Sequence, residues 1–239
     1  MKLAEILGSL FPHGHDVQVT DGLLEGTGSL GVRGPVCVLG VTEGQSLGVE
    51  EALGLARRVL DLIETDGQTP LLMLVDAGSQ RMSQRDELLG LNEYLAHLAK
   101  ALWLAERRGH RTIGLLYGGA AAGAFIATAL ATGSLAALPD ARPSVMDLPS
   151  MARVTKVPLA VLQEKAKATP VFAPGLENLR RAGAVQVVWD PDRSLAAQLE
   201  ALLASPPDDD TRGALGLERG GRLEAAPIAN RVEREARHG

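Results

Sequence analysis

The sequence predicts an α/β fold with right-handed crossovers. Three observations carry this expectation. Apolar strands and amphipathic helices alternate along the chain, the strand LLMLV (71–75) is apolar at every position, and the unit strand, glycine turn, helix occurs twice. A strand without polar alternation needs cover on both faces, and flanking helices supply it.

The elements follow in order. MKLAEILGSLF has one Lys and then a Glu inside its apolar stretch, so it reads as an amphipathic helix and not as a signal peptide. Residues 17–42 read as three strands, VQVTDGLL, GSLGVR and PVCVLGVT, punctuated by glycines and Pro35. Over 49–64, Val49, Ala52, Leu53, Ala56, Val59, Leu60 and Ile63 share one helical face, and Gly67 stops the helix. After LLMLV comes the polar turn Asp76-Ala77-Gly78-Ser79. Ser83-x-x-Asp86 then opens a long helix with the stripe Leu88, Leu91, Leu95, Leu98, Leu102, Ala105, ended by Gly109. A strand over 111–117 breaks at Gly118-Gly119 into a small-residue helix. Two short strands are expected around 135–138 and 144–147, and helices around 149–156 and 158–167. Ser194 caps a last helix that Pro206-Pro207 ends. The expected organisation is one domain over residues 1–205 and a polar, glycine-rich and charged tail over 206–239 that lacks the apolar residues to bury itself.

Composition narrows the function. The 239 residues carry a formal charge of -5 with no concentrated basic stripe, which argues against nucleic acid as the main partner. The single cysteine, Cys37, lies in the apolar run VCVLGV. No disulfide and no Cys-ligated metal site can be built from it, and a reducing cytoplasm is the expected compartment. Residues 113–138 lack any charge, and Gly119-AAA-Gly123 fits a membrane dimerisation pattern. Ala and Gly contribute little to insertion, however, and the Gly pair would break such a helix near its start, so a buried strand-turn-helix explains the residues better and no membrane span is expected. Gly26-x-Gly28-x-x-Gly31 is followed by another strand, so a pyrophosphate would find no helix terminus there. His13 and His15 form an isolated H-x-H without further ligands. His97 is expected at a surface or interface and His110 at a helix end, and no metal is expected.

The chemistry that remains is of one kind. A strand ending in glycines at a helix start leaves backbone N–H groups free and pointing one way, and the helix dipole adds positive character. That arrangement can hold a developing oxyanion. The turns at Gly78-Ser79 and Gly118-Gly119 can face one pocket. Ser79 could be a nucleophile, but nothing is placed to activate it, so hydrogen bonding or turn formation suits it better. Tyr117 is either a core residue with a satisfied hydroxyl or a polar group of the pocket. Backbone donors without an evident proton-transfer residue suit loss of CO2 from a β-carboxy thioester, which pushes electrons into the thioester carbonyl.

PLLMLVDAGSQRMSQRDELLGLNEYLAHLAKAL and RTIGLLYGGAAAGAFIATALATGSLAALPDARPSVMDLP together resemble the crotonase-like (ClpP/crotonase) fold of carboxyltransferase subunits, built of repeated ββα units. SVMDLPSMARVTKVPLAVLQE and TPVFAPGLENLRRAGAVQVVWD are similar to the gamma subunits of biotin-independent malonate decarboxylases, and the resemblance covers roughly residues 15–205. It implies a heterodimer with a homologous beta subunit and an active site between the two. It implies malonyl thioester as substrate, carried on the prosthetic group of an acyl carrier protein, with no cofactor bound directly and an acyl carrier protein transferase subunit as a further partner. The family's glycine pair at the helix start falls on Ala122-Gly123 or on Gly118-Gly119. Ala122 stands where carboxyltransferase relatives carry the first glycine of a Gly-Gly-Ala triplet. A biotin-dependent carboxyltransferase subunit and a non-catalytic subunit that completes its partner's pocket are the alternatives. The apolar stripes of the two helices after residues 83 and 118 predict an obligate hetero-oligomer.

Overall fold

The computed structural model describes residues 1–65, 67–168, 174–204 and 210–238. Two compact units divide the chain, Met1–Val145 with Val188–Pro207, and Met146–Val187 with Asp208–Gly239.

The first unit is a sheet with helical cover. The antiparallel strands β1 (Gln18–Thr20), β2 (Leu23–Ser29) and β3 (Pro35–Leu47) form its start. From β3 onward the neighbours β4 (Leu71–Gln80), β5 (Thr112–Leu116) and β7 (Ser134–Ala137) run parallel. The short strand β9 (Val187–Val188) closes the order β1-β2-β3-β4-β5-β7-β9. Leu71 to Val75 are all buried, as a central parallel strand requires. A separate parallel pair, β6 (Gly119–Ala121) and β8 (Arg142–Ser144), joins the segment that follows β5 to the segment that follows β7.

Helix α1 (Leu3–Leu10) buries Ile6, Leu7 and Leu10 and packs on α9 (Leu195–Ala204), whose N-terminal Ala197 N–H donates to Ser194 Oγ at 3.2 Å. Helix α2 (Val49–Ile63) buries Val49, Ala52, Leu55, Ala56, Val59 and Leu62; the expected face member Leu53 points outward instead. The GSLGVR strand expected after β2 is instead the end of β2 and a 3₁₀ turn over Gly31–Arg33, because Gly31 and Gly34 both take positive φ.

Three further expectations change. The long helix after residue 83 is two helices, α3 (Gln84–Leu88) and α4 (Leu91–Arg107), separated by Gly90 in the left-handed region at φ +80°. The break leaves Leu88 80% exposed, while Leu91, Leu95, Leu98, Leu102 and Ala105 stay buried. Ser83 caps α3 as expected, accepting from Asp86 N–H at 3.0 Å. Asp76-Ala77-Gly78-Ser79 is not a turn: pairing with β3 continues along β4 to Gln80. The small-residue helix α5 covers only Ala122–Ala127, because β6 separates Gly118 from it and Thr128 Oγ1 bonds Ala124 O at its end.

The second unit holds α6 (Leu148–Thr155), α7 (Leu159–Ala168), α8 (Leu176–Arg181), α10 (Arg212–Glu218) and α11 (Ala225–His238). Residues 206–239, expected as a polar tail, thus carry two helices over their described part and cluster with 146–187. The means are polar and steric, which is why apolar content did not reveal them. Arg219 donates to the carbonyls of Arg180, Val185 and Gln186 at 2.9, 2.8 and 2.8 Å. Gly216 and Gly221 lie against the Ala182 and Arg181 carbonyls so closely that a Cβ would stand 2.6 and 2.0 Å from those oxygens. The helix end expected at Pro206-Pro207 lies outside the described residues.

Candidate functional site

Where β4 leaves the core its sequence turns from apolar to Asp76-Ala77-Gly78-Ser79-Gln80, and the strand's two-residue period sends Asp76, Gly78 and Gln80 to one side. That side meets the segment leaving β5. Asp76 Oδ1 accepts from Gly119 N–H at 2.8 Å, and Gln80 Oε1 accepts from Gly123 N–H at 2.8 Å. Side chains of the first glycine-containing segment therefore cap backbone donors of the second.

Gly118 explains the closeness of the first contact. A Cβ there would stand 2.0 Å from Asp76 Oδ1 and 2.7 Å from Asp76 Cβ, so only glycine lets the chain pass. Gly78 has a milder version of the same constraint, with the Gly44 carbonyl 2.8 Å from a Cβ position. At the start of α5, Ala122 is held at φ +48°, a left-handed conformation that costs an L-residue with a Cβ about 1–2 kcal/mol. Glycine adopts this conformation freely. Strain of this kind persists where surroundings over-determine the backbone, here through the Gln80–Gly123 bond on one side and the β6–β8 pairing on the other.

The end of β4 is also clamped. Arg81 N–H donates to the Leu47 carbonyl at 2.6 Å, and its guanidinium contacts Glu51, Asp86 (3.6 Å) and Glu50 (3.7 Å). Arg85 adds a second cation to Asp86 at 3.1 Å and also pairs with Glu50, whose exposed carboxyl its hydrogen bond holds below the usual range. Asp86 is 1% exposed, and these two arginines are what make its burial tolerable. Ser79 uses its hydroxyl locally, donating to the Gln80 carbonyl at 2.9 Å.

A cavity of about 540 Å³ opens beside the Asp76–Gly119 contact. Thr42, Glu43, Asp76, Tyr117, Gly118, Asp140 and Arg142 line it, together with Met1 and Lys2. Tyr117 is buried there, and burial pushes its hydroxyl up to about 12. A hydrogen bond with Thr42 opposes the rise, while the charges of Asp76 and Glu43 add to it.

The structure brings together all six sequence-predicted positions, Gly78, Ser79, Gly118, Gly119, Ala122 and Gly123, along the β4 end and the β5-to-α5 connection. It places the helix start at Ala122-Gly123, with Gly118-Gly119 set back before β6. Sequence reasoning missed Asp76 and Gln80 as capping acceptors. Their one signal was polar alternation directly after the apolar run. Among the described residues no group of three or more His, Cys, Asp or Glu could hold a metal ion. His13, His15 and His97 are exposed, and His110 is buried with Nδ1 3.0 Å from the Thr69 carbonyl. Cys37 is half-buried and its thiol is pushed up to about 11 by burial and then by Glu25, which makes it a poor nucleophile. No helix among the described residues is long and apolar enough to cross a membrane.

The family model described as MdcE, malonate decarboxylase gamma subunit, matches residues 42–236. A curated relative from Malonomonas rubra, the malonyl-S-ACP:biotin-protein carboxyltransferase MADD, is 28% identical over 223 residues, covering 85% of this chain and 75% of the relative. A chain of a Pseudomonas malonate decarboxylase hetero-tetramer in complex with coenzyme A matches with a TM-score of 0.76 and 25% identity, over 97% of this chain and 98% of that one. A chain of the Pseudomonas MdcD-MdcE hetero-dimer matches with a TM-score of 0.73 and 27% identity, over 97% and 96%. Transcarboxylase 12S, at 16% identity and a TM-score of 0.67 over 84% of this chain and 39% of that one, shares the fold, which is the crotonase-like α/β fold.

Proposed function

This chain belongs to the malonate decarboxylase gamma-subunit family, and we propose that it works with a homologous beta subunit to convert malonyl-S-acyl carrier protein to acetyl-S-acyl carrier protein and CO2. The observation that carries this reading is the family match across 42–236, joined to end-to-end likeness with chains of Pseudomonas malonate decarboxylase assemblies. The substrate reaches the site on the prosthetic group of the carrier protein, and the chain itself binds no cofactor. An acyl carrier protein transferase subunit completes the set of partners, and the single free cysteine suits a cytoplasmic setting.

The chemistry asks little of side chains. When CO2 leaves, electron density moves to the thioester oxygen, and fixed N–H dipoles lower the barrier by being in place beforehand. The candidate donors lie around Gly78-Ser79 and the start of α5. Gly119 N–H and Gly123 N–H already serve Asp76 and Gln80 in the isolated chain, so the first-turn amides flanking Gly123, those of Ala122 and Ala124, are the better candidates there.

The Malonomonas relative favours a second reading, in which the same pair passes the carboxyl group to a biotin protein. One assay separates them, and also tests whether this chain is only a non-catalytic partner. Malonyl-carrier protein is incubated with this chain, with its partner and with both, with and without a biotinylated carrier domain. The decarboxylase reading requires CO2 and acetyl-carrier protein from the pair without biotin. Turnover that depends on the biotinylated domain supports the second reading. Full turnover by the partner alone would sink a catalytic role for this chain.

A further inference from the structure

A thioester carried on a protein must be delivered and released at every turnover, so its carrier needs a docking surface that is specific yet small. Helix α4 presents a face with that anatomy. Trp103 is 61% exposed, whereas the other tryptophan, Trp189, is 2% exposed. Trp103 shares a stripe of α4 with Ala96, Lys100 and Arg107, spaced i, i+4, i+7 and i+11. The Arg107 guanidinium lies over the indole, with Cζ 5.7 Å from the ring centroid. Lys100, Arg107 and Arg108 are all exposed, and among the described residues none of the three has a carboxylate partner. The acids of α4 do not neutralise them. Glu93 stands in the first turn, and Glu106 accepts from the Thr112 N–H and hydroxyl at 2.6 and 2.7 Å and faces Arg111.

In a chain of net charge -5, the second half of α4 is therefore a basic surface around one aromatic anchor. Tryptophan and arginine are the residue types that carry binding energy at contacts. A single anchor ringed by unpaired cations suits an encounter that forms and dissolves, where a permanent subunit contact would bury a broad apolar core. The same helix reaches the proposed site. A Cβ on Gly123 would stand 3.0 Å from Leu95 Cδ1, and Trp103 lies two turns beyond Leu95, about 12 Å along the axis.

We propose that the Trp103–Arg107 face of α4 docks the acyl carrier protein, through an acidic surface of the carrier that sets an apolar residue against the indole. The assignment rests on the carrier-bound substrate of the reading above. It holds for either fate of the carboxyl group, because both begin from malonyl-carrier protein. Carboxylates of the carrier meet Lys100, Arg107 and Arg108 and steer the encounter, and the prosthetic group spans the remaining distance to the α5 start.

The test uses the purified complex of this chain with its partner subunit and two substrates, malonyl-carrier protein and malonyl-pantetheine, which has the thioester without the protein. Trp103→Ala should raise KM for malonyl-carrier protein about tenfold, as loss of a binding anchor does, with kcat changed less than threefold. Turnover of malonyl-pantetheine should stay within threefold. Arg107→Glu should raise KM for the carrier substrate at low salt and flatten its rise with added salt, since screening then has less attraction to remove. Carrier protein without a malonyl group, titrated into the complex, should change the fluorescence of exposed Trp103, and Trp103→Phe should abolish that change. An unchanged KM in Trp103→Ala, or an equal loss with malonyl-pantetheine, overturns the docking assignment while leaving the decarboxylase reading intact. Loss of assembly with the partner on gel filtration also overturns it and makes this face a subunit interface. Absence of turnover in the wild-type complex removes the decarboxylase reading, and the titration then decides the docking assignment by itself.

Discussion

Two segments of this chain follow one pattern, an apolar strand, then glycine and small residues, then a helix, yet they fold differently. After Val75 the chain stays extended to Gln80, paired with β3. After Leu116 it breaks at once, passes through β6 and enters α5 from a left-handed alanine. The first segment keeps polar side chains at alternate positions, and those side chains supply the acceptors that the second segment's backbone requires. One segment acts through side chains and the other through main chain. A substitution in the second should therefore act by steric intrusion, and one in the first by loss of a hydrogen bond.

Substitutions can break or sharpen that contrast. The largest effect is expected at Gly123, where a Cβ would stand 3.0 Å from Leu95 Cδ1 and 3.1 Å from Gln80 Oε1. Gly123→Val should push the α5 start off β4 and reduce turnover of malonyl-carrier protein by roughly 10²–10³, the loss typical of a displaced oxyanion donor. A correctly assembled Gly123→Val complex with near-normal turnover would show that the α5 start is not the reaction site.

Next comes the pair Gly118→Ala and Gly119→Ala, compared by denaturant unfolding. Gly118→Ala drives a methyl into Asp76 and should cost about 2–3 kcal/mol, the range of overpacking in a fixed site. At Gly119 the nearest atom to a Cβ is the Ala77 carbonyl oxygen at 3.2 Å, so Gly119→Ala should cost clearly less. Equal losses would mean that the Asp76 contact does not set the path of the chain.

Gln80→Leu keeps the volume and removes the acceptor for Gly123 N–H. It should cost about 1–2 kcal/mol of stability, as an unpaired half-buried amide does, while Gln80→Glu should keep most of it. Identical melting curves for the two variants would dismiss the cap.

Ala122→Gly should stabilise the chain by a few tenths to about 1 kcal/mol, because relief of the left-handed strain exceeds the added entropy of glycine. A clear loss of stability would mean that the methyl packs usefully despite its backbone. Smallest of all, Ser79→Ala removes a hydroxyl bonded only to the next residue's carbonyl, and turnover should fall tenfold or less. If it abolishes turnover in an assembled complex, Ser79 reacts with substrate and a backbone-only mechanism fails.

Much of this architecture was legible in the sequence because it depends on short-range patterns. The apolar run 71–75, the helical face of 49–63, the Ser83 cap and the Gly109 stop each report a local requirement of backbone geometry or burial. The order of those elements led to the α/β fold, and the six candidate site residues do fall along two adjoining segments.

Other features were decided only by the tertiary structure, and they share a cause. Whether Asp76-Ala77-Gly78-Ser79 turns or stays extended depends on β3 running alongside it, with Gln45 opposite Ala77 and Leu47 opposite Gln80. Whether the helix starts at Gly118 or Ala122 depends on Asp76 and β8 capturing the intervening residues. The helices after residue 210 depend on Arg219 finding three carbonyls near residues 180–186 and on glycines that let backbones meet. The sequence by itself determined the apolar core strand at 71–75, the helices over 49–63 and 91–107 and where backbone donors could gather, since propensity and periodicity are carried by neighbours within a turn or two. It left open which donors are occupied, because that is a property of contacts between segments 43 residues apart, and only the folded chain brings such partners within hydrogen-bond reach.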